Sequence, residues 1–189
     1  HDHWIKPEEG KWTYTYHERM FDYKTEGKVV DQIDYIIRKL SDTPYSRRAQ
    51  AITWNPAIDP ETDDPPCLQR IWCRLVQVAE DPGAGYLLNM NTHWRSRDAY
   101  KASFMNIFSL NYLQLFMAEE ISKGLRRRVA VGRYVDISDS FHIYGSYADE
   151  FEKFLKTVGS RPLEEKTWPT EFAKPFFEDA VTRIKNEKR

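Results

Sequence analysis

The sequence has little of what membrane-bound, extracellular or nucleic-acid-binding proteins depend on. Its 189 residues include only two cysteines, and no apolar run in them is long enough to span a membrane. The 28 Lys+Arg and 29 Asp+Glu leave a net charge of −1, so no global field attracts nucleic acid or an anionic membrane. No apolar signal-peptide segment opens the sequence. We therefore expect a cytoplasmic protein that binds neither nucleic acid nor a membrane.

The two cysteines, Cys67 and Cys73, are poorly spaced for a disulfide. If both lie on one strand, the six-residue step between them separates their Cα atoms by roughly 20 Å, far beyond disulfide reach. Together with five irregularly spaced histidines they form no recognisable zinc pattern. The sequence therefore predicts a reduced protein with a free thiol and no metal site.

The composition is that of a folded protein rich in large rings. Hydrophobic residues make up 41% of the chain and aromatic residues 14%, which is enough for one domain with a substantial core. We expect residues 1–189 to form that single domain. Apolar periodicity predicts helices over 27–41, 104–123, 147–157 and 171–186, and strands over 48–54, 68–79, 85–94, 126–137 and 141–145.

Segment 104–123 stands out because it is apolar nearly all round. Such a pattern predicts a helix buried on all sides, and Gly124 after it is typical of a helix stop. Residues 81–85, DPGAG, carry the turn residues of a hairpin, and the proline-rich residues 56–66 predict a surface loop. The alternation of strands and helices predicts an α/β or α+β domain built on a mixed sheet around that helix.

Cys67 is the first candidate for chemistry. It follows Pro65-Pro66 at the start of an apolar strand, so a stiff loop delivers its thiol to a strand end. That placement suits a nucleophile. The alternative is a buried cysteine that acts as a small hydrophobe, which is the only role we assign to Cys73 in the middle of the strand.

Two groups of arginines are candidates for binding an anion. Arg47 and Arg48 open one predicted strand, and Arg95 and Ser96 follow another. Arginine forks bind phosphate through two parallel hydrogen bonds, and a serine hydroxyl adds a neutral donor. The alternative is a run of solvated charges at the ends of the elements.

Three further polar residues lie where a ligand could be recognised. Asn106, near the front of the apolar helix, must find partners, and its carboxamide can both donate and accept, as the edge of an amide-containing ring requires. It could instead cap the helix or join a core network. His142 and Tyr144 alternate along a predicted strand, so both would point into one cleft, or both would be half-buried at a sheet edge.

Taken together, four segments resemble the thymidylate synthase family. They are YTYHERMF, which contains Tyr16; SRRAQAITWNP followed by PPCLQ; WRSRDAYKASFMNI; and SDSFHIYGSY. Cys67 comes nineteen positions after Arg48, and Asn106 eleven positions after Arg95, as in that family. The resemblance runs from about residue 12 to about residue 155, and it is closest to the short archaeal-type synthases.

The resemblance implies a three-layer α+β fold with a mixed sheet, one central buried helix, and a sheet face that pairs two copies of the chain. In such a homodimer Arg47 and Arg48 would reach into the neighbouring site. The N-terminal part of the family fold, which carries the general-base glutamate, is expected to have no counterpart in these residues.

The resemblance also implies a reaction, the reductive methylation of dUMP at C5 to give dTMP. The one-carbon donor would be 5,10-methylenetetrahydrofolate or a methanopterin-like analogue. Cys67 would add to C6 of the uracil, Tyr16 would lie near the reacting base, and Asp98 would act in catalysis and bind the pterin ring. The remaining nucleotide-binding residues implied are Arg47, Arg48, Arg95, Ser96, Asn106, His142 and Tyr144.

Two alternatives to this reaction remain open. A pyrimidine deoxynucleotide 5-hydroxymethylase of the same superfamily would let water replace the hydride. A non-catalytic descendant would bind the nucleotide without turning it over. Asn106 favours uracil over cytosine, and Ser96 is what a deoxynucleotide site in this superfamily carries.

Overall fold

A computed structural model describes residues 5–78 and 85–187, and the chain separates into two compact units between Ile143 and Tyr144. The prediction of a single domain stays a prediction. The elements of the first unit are α1 (Tyr16–Phe21), β1 (Tyr23–Thr25), β2 (Lys28–Val30), α2 (Gln32–Asp42), β3 (Gln50–Ile52), β4 (Leu68–Gln77), β5 (Tyr86–Trp94), β6 (Arg97–Asp98), α3 (Ser103–Leu125), β7 (Val129–Ser138) and β8 (Phe141–His142).

A four-stranded mixed sheet forms the centre of the first unit, in the order β3-β4-β5-β7. Strands β3, β4 and β5 pair antiparallel with one another, whereas β7 runs parallel to β5 and is reached through the long helix α3. The expected α+β class with a mixed sheet is confirmed. Strand β3 is shorter than the predicted 48–54, and the predicted hairpin turn lies almost wholly in residues 79–84, outside the described residues.

Helix α2 begins later than the predicted helix 27–41. Val29 and Val30 belong to β2, which pairs with β1 across a turn where Gly27 has a φ of 70°. Asp31 then caps the helix, because its carboxylate accepts the backbone N–H three residues further on at 2.8 Å. The two valines are in phase with the apolar face of α2, and for that reason periodicity alone included them in the helix.

Helix α3 packs one face on the sheet and on α2, and this interface forms the main core. The prediction that it is buried on all sides is wrong for the single chain, since Phe104 is 69% exposed and Phe116 is 43% exposed. Gly124 does not stop the helix either. It lies in the last turn, where a Cβ would come within 2.8 Å of the Ser41 side chain, and the left-handed residue that ends α3 is Arg126.

The second unit consists of α4 (Ala148–Ser160) and α5 (Thr170–Glu187), joined to short 3₁₀ turns. The predicted strand 141–145 is wrong at its C-terminal end, because β8 stops at His142 and Tyr144 precedes a 3₁₀ turn over Gly145–Tyr147. In the described part of the chain, every helix is too short or too polar to be a membrane-span candidate.

Candidate functional site

Cys67 lies between a turn formed by two prolines and the first residue of β4. Arg95, which directly follows β5, holds this segment in place through hydrogen bonds. The Arg95 backbone N–H donates to the Cys67 carbonyl at 2.9 Å. Its guanidinium donates to the Pro65 carbonyl at 2.6 Å and to the Pro66 carbonyl at 3.1 Å. The two prolines have no backbone N–H, so this turn offers carbonyl oxygens, which the Arg95 guanidinium binds. These bonds fix the position of the half-buried Cys67 thiol.

Helix α1 brings Tyr16 to this thiol. Thr15 caps the helix by accepting the Glu18 N–H at 2.9 Å, and the Tyr16 hydroxyl accepts the Leu68 N–H at 3.4 Å. The Tyr16 ring packs edge-on against Trp94, with the ring centroids 5.6 Å apart. A hydrogen bond joins Tyr16 to the Cys67 side chain. The structure therefore places Tyr16 beside the Cys67 thiol, and its expected position near a reacting base stays a prediction.

An ion pair holds α1 in this position. Arg19 donates to the buried carboxylate of Asp59 at 2.7 Å and to the Thr53 carbonyl at 3.2 Å. Asp59 also accepts the Asn55 N–H at 2.5 Å. Because these partners lie just after β3 and in the following loop, α1 is tied to the segment that leads into the proline turn.

The environment of Cys67 acts on its thiolate in opposite directions. Burial raises the pKa of the Cys67 thiol most strongly, the Arg95 charge lowers it, the Asp64 charge raises it, and the hydrogen bond from Tyr16 lowers it. Cys73 differs, since full burial inside the sheet raises its pKa to about 12. Burial prevails, so the pKa of Cys67 lies above its ordinary value, but of the two thiols only Cys67 is half-exposed and has a cation beside it that favours the thiolate.

Two cavities of about 460 and 440 Å³ adjoin Tyr16, and both are also lined by Trp12, Thr15 and Asn106. The first opens toward Asp64 and Tyr14, whereas Leu68 and Trp94 line the second. Asn106 enters both because it lies in the second turn of α3, with its backbone N–H bonded to the Ala102 carbonyl at 3.0 Å. The structure therefore brings Asn106, Tyr16 and Cys67 to one region.

Asp98 and His142 lie side by side at the start of α3. Strands β6 and β8 are parallel and pair these two residues in register. The Asp98 carboxylate accepts the Tyr100 N–H at 2.9 Å and the Lys101 N–H at 3.0 Å, so it caps the turn that leads into α3. His142 bonds the Ser140 hydroxyl through Nδ1 at 3.2 Å.

The remaining predicted residues are not gathered with these. Arg47 and Arg48 are exposed before β3, and the latter lines a separate cavity with Tyr35. Ser96 is half-buried between β5 and β6. The expectation that His142 and Tyr144 alternate on one strand is wrong, because β8 ends before Tyr144 and the chain passes there into the second unit.

Sequence reasoning missed a buried charge pair next to the site. Arg97 is 2% exposed, its guanidinium lies 4.1 Å from the Trp94 ring, and it donates to Asp136 at 2.5 Å and to the Ser103 carbonyl at 2.9 Å. The pair links β7 to the first residue of α3. The sequence offered only the three-residue spacing of Trp94 and Arg97 as a signal, and this spacing does not identify Asp136 as the partner of Arg97.

Sequence reasoning also missed Tyr14, whose hydroxyl bonds to that of Tyr16 and whose side chain lines the first cavity. The Tyr-x-Tyr spacing was its only signal. Among residues 5–78 and 85–187, no cluster of three or more His, Cys, Asp and Glu side chains is arranged to hold a metal ion.

A statistical model of one family, described as Thymidylate synthase, matches residues 1–169. A protein of Methanocaldococcus jannaschii is 38% identical over 137 residues, which cover 70% of this chain and 55% of the relative. A protein of Methanococcoides burtonii is 33% identical over 145 residues, which cover 77% of this chain and 59% of the relative. Both carry the name "Putative thymidylate synthase". The chain therefore spans little more than half the length of these curated relatives.

Proposed function

Because the chain belongs to the thymidylate synthase family, we propose that it supplies the catalytic thiol and nucleotide site of an enzyme that methylates dUMP at C5. The observation that carries this proposal is the contact of Tyr16 with Cys67 beside cavities that Asn106 lines. A nucleophile, a hydroxyl and a carboxamide in one place match the needs of a pyrimidine whose ring is attacked at C6.

The proposed reaction begins when the Cys67 thiolate adds to C6 of the uracil, which makes C5 a nucleophile. C5 attacks the methylene carbon of a reduced pterin, and loss of the C5 proton then breaks the bond between that carbon and the pterin nitrogen, which leaves an exocyclic methylene on the base. Hydride passes from the pterin to the exocyclic methylene as the C6–S bond breaks, so dTMP and the dihydropterin are released. Arg95 and Tyr16 contribute by stabilising the thiolate against its burial.

The proposed nucleotide contacts follow from the donors present. Arg95 has five N–H donors, of which the prolyl carbonyls take two, so others can bind phosphate beside the Ser96 hydroxyl. Asn106 would bind the base, and His142 the sugar. Asp98, which already accepts backbone N–H groups, would accept from the pterin ring.

The one-carbon donor in this proposal is 5,10-methylenetetrahydrofolate or a methanopterin-like analogue. Both carry the same reactive methylene between two nitrogens, so the chemistry at C5 is shared. Incubation of the full-length protein with dUMP and each donor separately, followed by mass analysis of the nucleotide, identifies the one that yields dTMP. A product carrying a hydroxymethyl group would instead contradict the proposed reduction step.

The proposal includes a homodimer through the outer face of the sheet. Ile52 and Ile137 are 40% and 48% exposed, and their register partners Arg70 and His93 also lie on the sheet face turned away from the core. A second copy would cover them and account for their exposure. Arg47 and Arg48, exposed at the start of the edge strand β3, would then reach the neighbouring phosphate site.

Formation of a covalent adduct with 5-fluoro-dUMP tests the nucleophile. Fluorine at C5 cannot leave as a proton does. The reaction of 5-fluoro-dUMP with the one-carbon donor should therefore stop while the nucleotide is still bonded to the cysteine sulfur. We expect the adduct on Cys67, lost in Cys67→Ala and retained in Cys73→Ala. An adduct mapped to Cys73, or one that survives Cys67→Ala, would contradict the assignment.

A further inference from the structure

Tyr14 extends the contact between Tyr16 and the thiol by one residue. Its ring lies edge-on to that of Tyr16, with centroids 5.7 Å apart, and it lines the first cavity with Asp64 and Asn106. The Arg19 guanidinium lies 5.4 Å from its ring centroid. Since Arg19 is itself fixed by Asp59, the position of the Tyr14 ring is set by the fold rather than by a ligand.

The Tyr16 oxygen lies between a backbone N–H donor and the Tyr14 hydroxyl. The Tyr16 oxygen accepts the Leu68 N–H at 3.4 Å, and it shares a further bond with the Tyr14 hydroxyl. Burial raises the pKa of both hydroxyls most strongly, and the bond between them raises the pKa of Tyr14 further while it opposes the rise at Tyr16. If the Tyr16 oxygen accepts from both the Leu68 N–H and the Tyr14 hydroxyl, its own O–H proton is available to donate to the Cys67 sulfur.

We propose that Tyr14 is a positioning residue that, through Tyr16, directs a hydroxyl proton at the Cys67 sulfur and so favours the thiolate. The hydroxyls form a chain from Tyr14 to Tyr16 to sulfur, in which each donates to the next. The inference deepens the proposed function, on which it rests only in taking Cys67 as the nucleophile.

Two charged groups act on the Cys67 thiol, Arg95 and Asp64, and they have opposite effects on its ionisation, so the hydrogen bond from Tyr16 matters to the balance. Arg95 favours the thiolate, whereas burial and the Asp64 charge oppose it. Tyr14 itself is faced by Arg19, Asp64 and Tyr16. Loss of the Tyr14 hydroxyl would free the Tyr16 oxygen to rotate its proton elsewhere, and the thiolate would lose part of its stabilisation.

Alkylation of Cys67 by iodoacetamide, followed by mass spectrometry across a range of pH, tests this without any nucleotide. We expect Tyr14→Phe to move the midpoint upward by half to one pH unit, which slows alkylation at neutral pH about three- to tenfold. Phenylalanine keeps the ring contacts with Arg19 and Tyr16. Tyr45→Phe, at a side chain that is 80% exposed, serves as the matched control and should leave the midpoint unchanged.

The double variant separates an indirect role from a direct one. If Tyr14 acts through Tyr16, Tyr14→Phe adds no further shift when Tyr16→Phe is already present. An unchanged midpoint in Tyr14→Phe, or shifts that add in the double variant, would overturn the inference. Because no dUMP is used, a protein that forms no nucleotide adduct can still pass this test, so the two proposals fail separately.

Discussion

At the scale of single residues, Asn106 is where the proposed enzyme would choose its base. Uracil offers an acceptor at O4 and a donor at N3, whereas cytosine offers a donor at N4 and an acceptor at N3. A carboxamide fixed for uracil leaves two groups unpaired against cytosine, which costs about 1–3 kcal/mol each. We expect dUMP to be preferred over dCMP by roughly a hundredfold.

Replacement of the amide should move this preference. An aspartate accepts from N4 and, when protonated, donates to N3, so Asn106→Asp is expected to favour dCMP and to weaken dUMP turnover. Paired titrations of both proteins with both nucleotides measure the change. Equal affinity of the unchanged protein for dUMP and dCMP would remove Asn106 from the base site.

At the same scale, the sequence singled out three residues that the structure places in one region, and it gave no sign of two of their neighbours. Cys67, Tyr16 and Asn106 lie in segments with distinctive spacing, and the structure brings them together. The ion pair of Arg97 could not be predicted because its partner lies 39 positions away, and the Tyr-x-Tyr spacing gave no sign that Tyr14 would adjoin the hydroxyl that contacts Cys67. A buried arginine cannot be recognised until its carboxylate, here Asp136, is known to face it.

At the scale of elements, the backbones of β5 and β7 approach each other closely at Gly132. The register shifts between Leu88 and Met90, and a Cβ on Gly132 would meet the Asn89 side chain and lie 2.9 Å from the Leu88 carbonyl. The same Asn89 oxygen accepts the Arg133 N–H at 2.8 Å. Glycine is required here for close approach of two backbones.

We therefore expect Gly132→Ala to destabilise the protein by about 1–3 kcal/mol, as overpacking does. Gly159→Ala is the matched control, because a Cβ there meets nothing within 4 Å and α4 gains helix propensity. Equilibrium unfolding in urea of the three proteins measures the difference. Identical midpoints for Gly132→Ala and the unchanged protein would show that the junction can relax.

Elements were predicted well where a long pattern had only one interpretation. Strands β4, β5 and β7 and helix α3 all lie within a few residues of their predicted bounds. The start of α2 was missed because a two-strand hairpin and a helix share the same apolar residues over a short stretch. The exposed side of α3 was missed because an apolar pattern gives no information on which partner covers it.

At the scale of the whole molecule, the proposed dimer predicts that two defective chains repair each other. Arg47→Gln/Arg48→Gln would damage the neighbour's site, whereas Cys67→Ala damages its own. A mixture after subunit exchange should contain hybrid dimers with one intact site, and regain about a quarter of normal turnover.

Activity of the mixed variants, measured after mild denaturation and refolding together, tests this arrangement. Each variant refolded alone is the control and should stay near its own low rate. Sedimentation at micromolar concentration should give the mass of a dimer. A monomer, or a mixture as inactive as its components, would contradict the shared site.

The connection from β5 to β7 determines the position of the site, and it also determines the stage of folding at which the site forms. Parallel strands cannot be joined by a tight turn, so the pairing waits until residues 95–128 have folded back as α3. Arg95 and Asn106 both lie in that connection, and such a long loop closes slowly. The contact of Arg95 with Cys67 forms with the β4–β5 pair, whereas Asn106 reaches the cavities beside Tyr16 only after α3 has folded back, so the complete site appears late in folding.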